Sequence, residues 1–465
     1  MIELRDYQLS LVDEARGNMR SYKNILVQAA TGAGKTVLGA YMISNTIKKG
    51  FDCFFLVHRV NLVDQTSKTF DKFDIPHSFI AANVGYNPYH KVHICSIDTL
   101  KNRLKKVKVP KVIMVDECHL ANSAGWSKVL DYYREQGCWI IGLSATPIRL
   151  DGTGLERHFQ TMVTGPSMKW LIENGFLSEY RYFAPSTIDM SGVNKSNGDY
   201  AKGKMTMAVS SQHNKLVGDA IKHYRKHADG MRAIAYCVSV KESEQTAEDF
   251  NNAGIPAAHI DGETPLNVRK IIIKKFAMGE IKVLTNVELI TTGFDLAAQV
   301  DMDVQVECII QLRPTHSLSL YLQMVGRGLR ADSKPHVIID HAGNVQKHGL
   351  PCDDRDWSLQ GVKSSGGKKG EKTIKTKDCP KCFHVHTPFP SCPNCGHVYE
   401  VKARELGIEE GELEEIKSAS QIKKDKQKKE KDEYFRLLNG AKKRGVPNPA
   451  LWAKNKMLAK KKGFM

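Results

Sequence analysis

Short runs of consecutive apolar residues alternate along this chain with longer stretches in which apolar positions recur every three or four residues. The first pattern predicts strands buried on both faces and the second predicts helices that cover them, so the chain reads as α/β with mostly parallel sheets. In residues 1–166, strands are expected at Asn24–Gln28, Cys53–Val57, His93–Cys95, Lys111–Val115 and Cys138–Leu143, and helices at Lys35–Lys49 and Leu62–Phe73. The rhythm stops at 167–209, where Ser191–Lys204 is rich in Gly, Asn, Ser and Lys and reads as an exposed loop within a connecting segment. It resumes over 210–358, with strands expected at Arg232–Val238, Ala257–Ile260, Lys282–Leu284, Val306–Ile310 and His336–Asp340. Helices are expected there at Val240–Asn252, Asn267–Ala277 and Leu318–Val325. Two α/β units of similar size therefore stand in tandem. Beyond them, 361–377 reads as a basic flexible linker, 378–400 as a small cysteine module, and 401–465 as a charged tail with helices around Asp432–Lys443 and Pro449–Lys462.

Composition narrows the class. A chain of 465 residues is long for one core and suits two or three domains. Apolar runs never reach the length of about 18 residues that a membrane span needs, so no membrane role is expected. The N-terminus lacks the charged-then-apolar order of a secretory signal. Of 11 cysteines, four form two close pairs and the rest are scattered, which suits a reducing compartment. The formal charge of +17 is unevenly placed: residues 361–465 hold 25 Lys and Arg against 13 Asp and Glu, a net +12 that leaves +5 for the first 360. A tail of this kind suits a polyanion, nucleic acid above all, although a solubilising tail has the same composition.

The chemistry is carried by motifs at strand ends. Ala29-Ala30-Thr31-Gly32-Ala33-Gly34-Lys35-Thr36 follows a predicted strand and opens a predicted helix. Gly32 and Gly34 let backbone amides curl around phosphate oxygens, Lys35 can reach the β- and γ-phosphates of ATP, and the Thr36 hydroxyl can ligate Mg²⁺. Asp116-Glu117-Cys118-His119 follows the strand ending at Val115. Asp116 fits the second ligand of the metal, and Glu117 can polarise an attacking water. Arg327 and Arg330, three apart and expected on one helix face, suit the charge that spreads over a transferring phosphoryl group. Finally, Cys379-Pro380-Lys381-Cys382 and Cys392-Pro393-Asn394-Cys395 offer four thiolates at the spacing of a structural Zn²⁺ site, and an iron–sulfur cluster is compatible with the same spacing.

As an ordered set these motifs resemble superfamily 2 helicases and translocases of the DExH branch, closest to RadD-like bacterial or phage DNA-repair ATPases, with kinship to XPB-like and restriction-enzyme motors. The resemblance covers about residues 2–358. It implies tandem RecA-like parallel-sheet domains, here followed by the small zinc-binding module and a basic helical tail. It also implies that Gln8 reads the adenine edge while Arg5 packs on the ring. Thr31, Gly32, Ala33, Gly34, Lys35 and Thr36 cradle the phosphates, with Ala29 at the first position as in the family. Arg59, Gln65, Ser96, Ser144, Thr146, Ser239, Thr285 and Thr292 occupy nucleic-acid-contacting or coupling positions, and His119 reaches toward the Ser144 element. Gly293 and Asp295 lie where the family meets the nucleotide, Gln323 orients water near the γ-phosphate, and Arg327 and Arg330 are arginine fingers.

The expected activity is ATP hydrolysis coupled to movement on or remodelling of DNA, single-stranded, forked or branched, in repair, recombination or replication. A repair or replication protein is a possible partner of the C-terminal region, and the cytoplasm of a bacterial or phage-infected cell is the expected location. An RNA-dependent ATPase and a duplex translocase that does not unwind use the same residues and stay open. An ATP-gated clamp has no need of Glu117, Gln323 and Arg327.

Overall fold

A computed structural model describes residues 3–58, 60–82, 84–149, 152–184, 190, 193–196, 199–290, 294, 296–300, 302–330, 334–361 and 419–461, with short stretches at 377–378, 385–386, 390–391, 396–398 and 415–416. The chain forms two compact units, residues 1–415 and 416–465. The first holds two parallel sheets, one per lobe.

In the first lobe, β1 (Asn24–Gln28), β2 (Cys53–Val57), β3 (His77–Ile80), β4 (Val92–Ser96), β5 (Val112–Val115), β6 (Trp139–Ser144) and β7 (Thr161–Thr164) run in the order β3-β4-β2-β5-β6-β1-β7. Every residue of β1, β2, β4 and β5 is buried, as strands with helices on both faces must be. β1 lies between β6 and β7, in parallel register with Val27 opposite Leu143 and Val163. This brings the loops after β1, β5 and β6 to one edge, the carboxyl ends of the strands, where an open α/β sheet presents its site.

The second lobe contains β8 (Tyr180–Phe183), β9 (Lys195–Ser196), β10 (Asp199–Tyr200), β11 (Ala233–Tyr236), β12 (Ala257–Ile260), β13 (Val283–Asn286), β14 (Cys308–Gln311) and β15 (His336–Asp340). β9 and β10 form a hairpin, and the sheet runs β12-β13-β11-β14-β15-β8. β8 differs from expectation: it lies in the segment read as purely connecting, yet pairs in parallel with β15. Tyr180, Tyr182 and Phe183 are buried in this lobe, and Phe183 shares its core with Met205 and Val209, so the second hydrophobic core begins well before residue 210.

The chain crosses between lobes at 165–179 and returns after β15. Tyr180 Oη donates to Cys352 Sγ at 2.9 Å on the second lobe, whereas Leu359 is buried in the core of the first. In the second unit, helices Ala419–Lys443 and Pro449–Lys461 pack on each other, with Ala441 and Ala453 buried. Arg444 lies 5.1 Å from the centre of the Trp452 ring, which makes this tryptophan a packing anchor of the helix pair. Among the described residues, no helix is long and apolar enough to cross a membrane.

Candidate active site

Strand β1 ends at Gln28, and the Ala29 amide donates to Ser144 O at 3.0 Å, which ties the following loop to the end of β6. Gly32 and Gly34 have φ of +84° and +80°, a region that strains residues with a Cβ. Gly34 is also the N-cap of helix Lys35–Lys48 and supplies no side-chain cap, so the first-turn amides are left for an anion. Behind the loop, Tyr7 Oη and Gln8 Nε2 both donate to Ala33 O at 3.0 Å, and Gln8 Oε1 accepts from the Arg5 amide at 3.0 Å. Gln8 thus braces the phosphate loop as well as standing at the position expected to read a base. The exposed Arg5 guanidinium sits 4.9 Å from the centre of the Phe176 ring, which is itself stacked on Trp170. That aromatic pair was not anticipated, because nothing local marks Phe176 until the fold brings it to Arg5.

Asp116 and Glu117 follow β5 and point at the same cation. Burial first, then the neighbouring Glu117 carboxylate, push Asp116 above the ordinary carboxylate range, while Lys35 pulls it down. Burial would raise Glu117 too, but Lys35 and then the His119 hydrogen bond hold it below its usual value. Glu117 occupies the left-handed region (φ 48°, ψ 51°), a conformation that a residue with a side chain adopts only when its surroundings hold it there. His119 Nδ1 lies 3.3 Å from Glu117 Oε2 and 3.4 Å from Ser144 Oγ. Ser144 Oγ in turn donates to Thr146 O at 2.8 Å. Thr146 Oγ1 then meets Ser319 Oγ at 2.6 Å, a buried hydrogen bond that crosses from one lobe to the other.

Ser319 opens helix Leu318–Gly326 of the second lobe, which also carries the buried Gln323. The reading of Arg327 and Arg330 as neighbours on one helix face is corrected here. The helix stops at Gly326, Arg327 is its C-cap, and Arg330 pairs as an isolated antiparallel bridge with Leu177. The end of the helix is closely packed: a Cβ on Gly326 would lie 2.1 Å from Thr31 Cγ2, and one on Gly328 would lie 2.7 Å from Ile309. Gly326 therefore abuts the phosphate loop itself, and Arg327 is the residue that follows it.

The other expected positions are distributed as follows. Ser239 caps helix Val240–Asn252 by accepting from the Glu242 amide at 3.2 Å, and Thr285 donates to Ser243 O at 2.8 Å. Both hydroxyls are engaged in the lobe's own structure. Ser96 precedes a short helix at Ile97–Leu100 and is fully buried, and Gln65 is half-buried on helix Val60–Lys72. Thr36 is exposed at the helix start. Arg59, Thr292, Gly293, Asp295, Cys379, Cys382, Cys392 and Cys395 lie outside the described residues. Among the described residues, no cluster of His, Cys, Asp and Glu is arranged to hold a metal. Sequence reading also passed over Arg313. This buried arginine lies 3.4 Å from Asp199 and 3.2 Å from Glu288, and Asp199 also accepts from Thr315 Oγ1 at 2.9 Å, fixing the turn that leads into helix Leu318–Gly326.

These groups fit a nucleoside triphosphate with its metal. The glycine cradle is closely approached from behind, since a Cβ on Gly34 would lie 2.6 Å from Gln8 Nε2. Lys35 supplies the cation, and Asp116 offers a carboxylate that burial leaves in want of positive charge. Comparison with known proteins agrees. Residues 1–149 match the family model described as Type III restriction enzyme, res subunit, and residues 213–332 match the helicase conserved C-terminal domain. A 51.5 kDa protein of Lactococcus phage (isolate 7-9) is 34% identical over 395 residues, covering 84% of this chain and 82% of its own. A candidate ATP-dependent helicase, IRC3 of Saccharomyces cerevisiae, is 29% identical over 362 residues, covering 73% of this chain, which spans only 51% of that relative. A fragment structure of a candidate HsdR subunit of a type I restriction enzyme from Vibrio vulnificus YJ016 superposes with a TM-score of 0.59 at 21% identity, covering 75% of this chain and 66% of that one.

Proposed function

Because the chain belongs to the DExH-type superfamily 2 helicases, in one family with the phage 51.5 kDa protein and related to restriction-enzyme motor subunits, we propose that it is an ATP-hydrolysing motor that moves on or separates DNA. The observation that carries this reading is the meeting of Gly326 with Thr31, which closes the second lobe over the phosphate loop of the first. ATP binds with its phosphates on the amides of Gly32 to Thr36 and on Lys35. Asp116 and Thr36 would hold a Mg²⁺ ion, which when bound would neutralise charge on the phosphates. Glu117 takes the proton of the attacking water, Gln323 orients that water, and Arg327 meets the charge on the transferred group. His119, Ser144 and Thr146 carry the state of Glu117 toward the lobe boundary.

DNA is the track because the family model that residues 1–149 match is a restriction-enzyme subunit, and restriction enzymes act on DNA. Single-stranded, forked or branched forms are the substrates, gripped mainly through phosphates, so binding weakens steeply with salt. The RadD-like branch, a repair or replication setting and a cytoplasmic site belong to the same proposal. The four cysteines hold a structural Zn²⁺, which four thiolates in paired C-x-x-C spacing suit, and the basic C-terminal region docks DNA or a repair partner. One zinc per chain by elemental analysis, lost on Cys392→Ser, is the expected result; iron in its place overturns the zinc assignment. Strand displacement on a forked duplex tests the motor: ATP-dependent displacement supports unwinding, while DNA-stimulated ATP turnover without displacement leaves a translocase.

A further inference from the structure

We propose that residues 351–361 are a second strap between the lobes, and that Leu359, its anchor, is a positioning residue for ATP turnover. On the second lobe the strap is fastened by Arg355, whose Nη2 donates to Leu350 O at 2.9 Å and to His348 O at 3.2 Å. On the first lobe, Leu359 is buried in the core that also holds Leu155, Phe159 and Trp126. Its carbonyl accepts from the amides of Leu155 at 2.7 Å and Glu156 at 3.1 Å, and Gly361 bridges to Thr153. Two glycines make this approach possible: a Cβ on Gly154 would lie 1.9 Å from Leu359 O, and one on Gly361 (φ +79°) would lie 2.4 Å from Gly152 O.

The receiving loop is also joined to the catalytic segment, since Asn122 Nδ2 donates to Gly154 O at 2.8 Å just beyond the turn at Cys118–Leu120. Between its ends the strap passes the phosphate loop. Pro351, Asp353 and Trp357 wall a cavity of about 90 Å³ whose other lining includes Ala30, Thr31 and Leu322.

A single flexible tether leaves two domains free to twist and splay, with an effective concentration only in the millimolar range. The span from Cys352 to Leu359 reaches about 25 Å at full extension. Together with the crossing at 165–179, it restricts the lobes to rotation about the line joining the two crossings. Gly326 and Arg327 then return to Thr31 in the same register in every cycle.

The test uses the full chain with Leu359→Asp and Gly361→Val, and Leu359→Met as the conservative control. Amide exchange at Leu155 and Glu156 reports strap docking without reference to activity. The two disruptive variants are expected to speed that exchange at least tenfold while the amides of β1 stay protected. DNA-stimulated kcat should fall about tenfold with KM for ATP within twofold, and Leu359→Met should behave as the parent. Unchanged exchange overturns the strap, and faster exchange with parental kcat overturns the positioning role. The turnover readout rests on the motor reading. A parent protein with no turnover on any polynucleotide refutes that reading, while the exchange result still decides the strap.

Discussion

Replacing Gly326 by alanine puts a methyl group where the second lobe meets the phosphate loop. The new Cβ would lie 2.1 Å from Thr31 Cγ2 and 2.6 Å from Thr31 Cβ. Rotation of the threonine side chain moves only the first of these atoms, so the clash with Cβ survives every rotamer. Ordinary contact begins at 3.4 Å, so to clear Thr31 Cβ the helix end must withdraw by about 0.8 Å. Arg327 is the next residue and withdraws with it. A displacement of about 1 Å at a catalytic constellation costs on the order of 100-fold in rate, or about 2.7 kcal/mol of barrier. Lys35 and both carboxylates belong to the first lobe and lie outside the clash. Steady-state hydrolysis of the full chain with DNA should therefore show kcat reduced about 100-fold, while a fluorescent nucleotide binds with unchanged affinity. A kcat within twofold of the parent would refute the claim that turnover requires this contact.

Glu117→Gln keeps the shape and neighbours of the side chain and removes the base; ATP binding should persist while turnover falls by roughly 10² to 10⁴, read by single-turnover hydrolysis. Ser319→Ala leaves the Thr146 hydroxyl buried without its partner across the lobes, a loss of about 1–3 kcal/mol, so DNA-stimulated kcat should drop about tenfold and Ser319→Thr should recover it; a parental rate in Ser319→Ala contradicts the coupling. Burial holds His341 down at about 3 and His223 and His348 at about 4, below the 6.5 of an exposed imidazole. The unfolded chain therefore takes up these protons first as pH falls, and stability contributed by the neutral rings declines between about pH 6.5 and 4. Tm should drop when the pH is lowered from 7.5 to 5, and a flat Tm over that range would contradict the assignment.

Much of the frame is written locally. β1, β2, β12 and β15 begin and end where the runs Asn-Ile-Leu-Val-Gln, Cys-Phe-Phe-Leu-Val, Ala-Ala-His-Ile and His-Val-Ile-Ile-Asp predict; β1, β2 and β15 are buried throughout, as strands covered on both faces are, while β12 lies at the sheet edge and is partly exposed. β8 escaped notice because Tyr-Arg-Tyr-Phe is four residues long with an exposed arginine inside it. The phosphate loop and the acidic motif were legible because each completes its chemistry within eight neighbouring residues. Ser319 was not: its meaning comes from Thr146, 173 residues away. Phe176, Arg313 and Leu359 share that reason, being ordinary residues given a role by partners on other elements. The arginines at 327 and 330 were found by spacing, but spacing alone assumed a helix that Gly326 ends.

The central proposal is that the two lobes closed around ATP form a DNA-stimulated ATP-hydrolysing motor. Steady-state ATP turnover measured without polynucleotide, and then with single-stranded, duplex and forked DNA and with RNA, tests it most directly. Slow turnover of the protein alone and strong stimulation by at least one form of DNA are expected. Bound ATP with no turnover on any of them would contradict the motor, and stimulation by RNA alone would contradict the track.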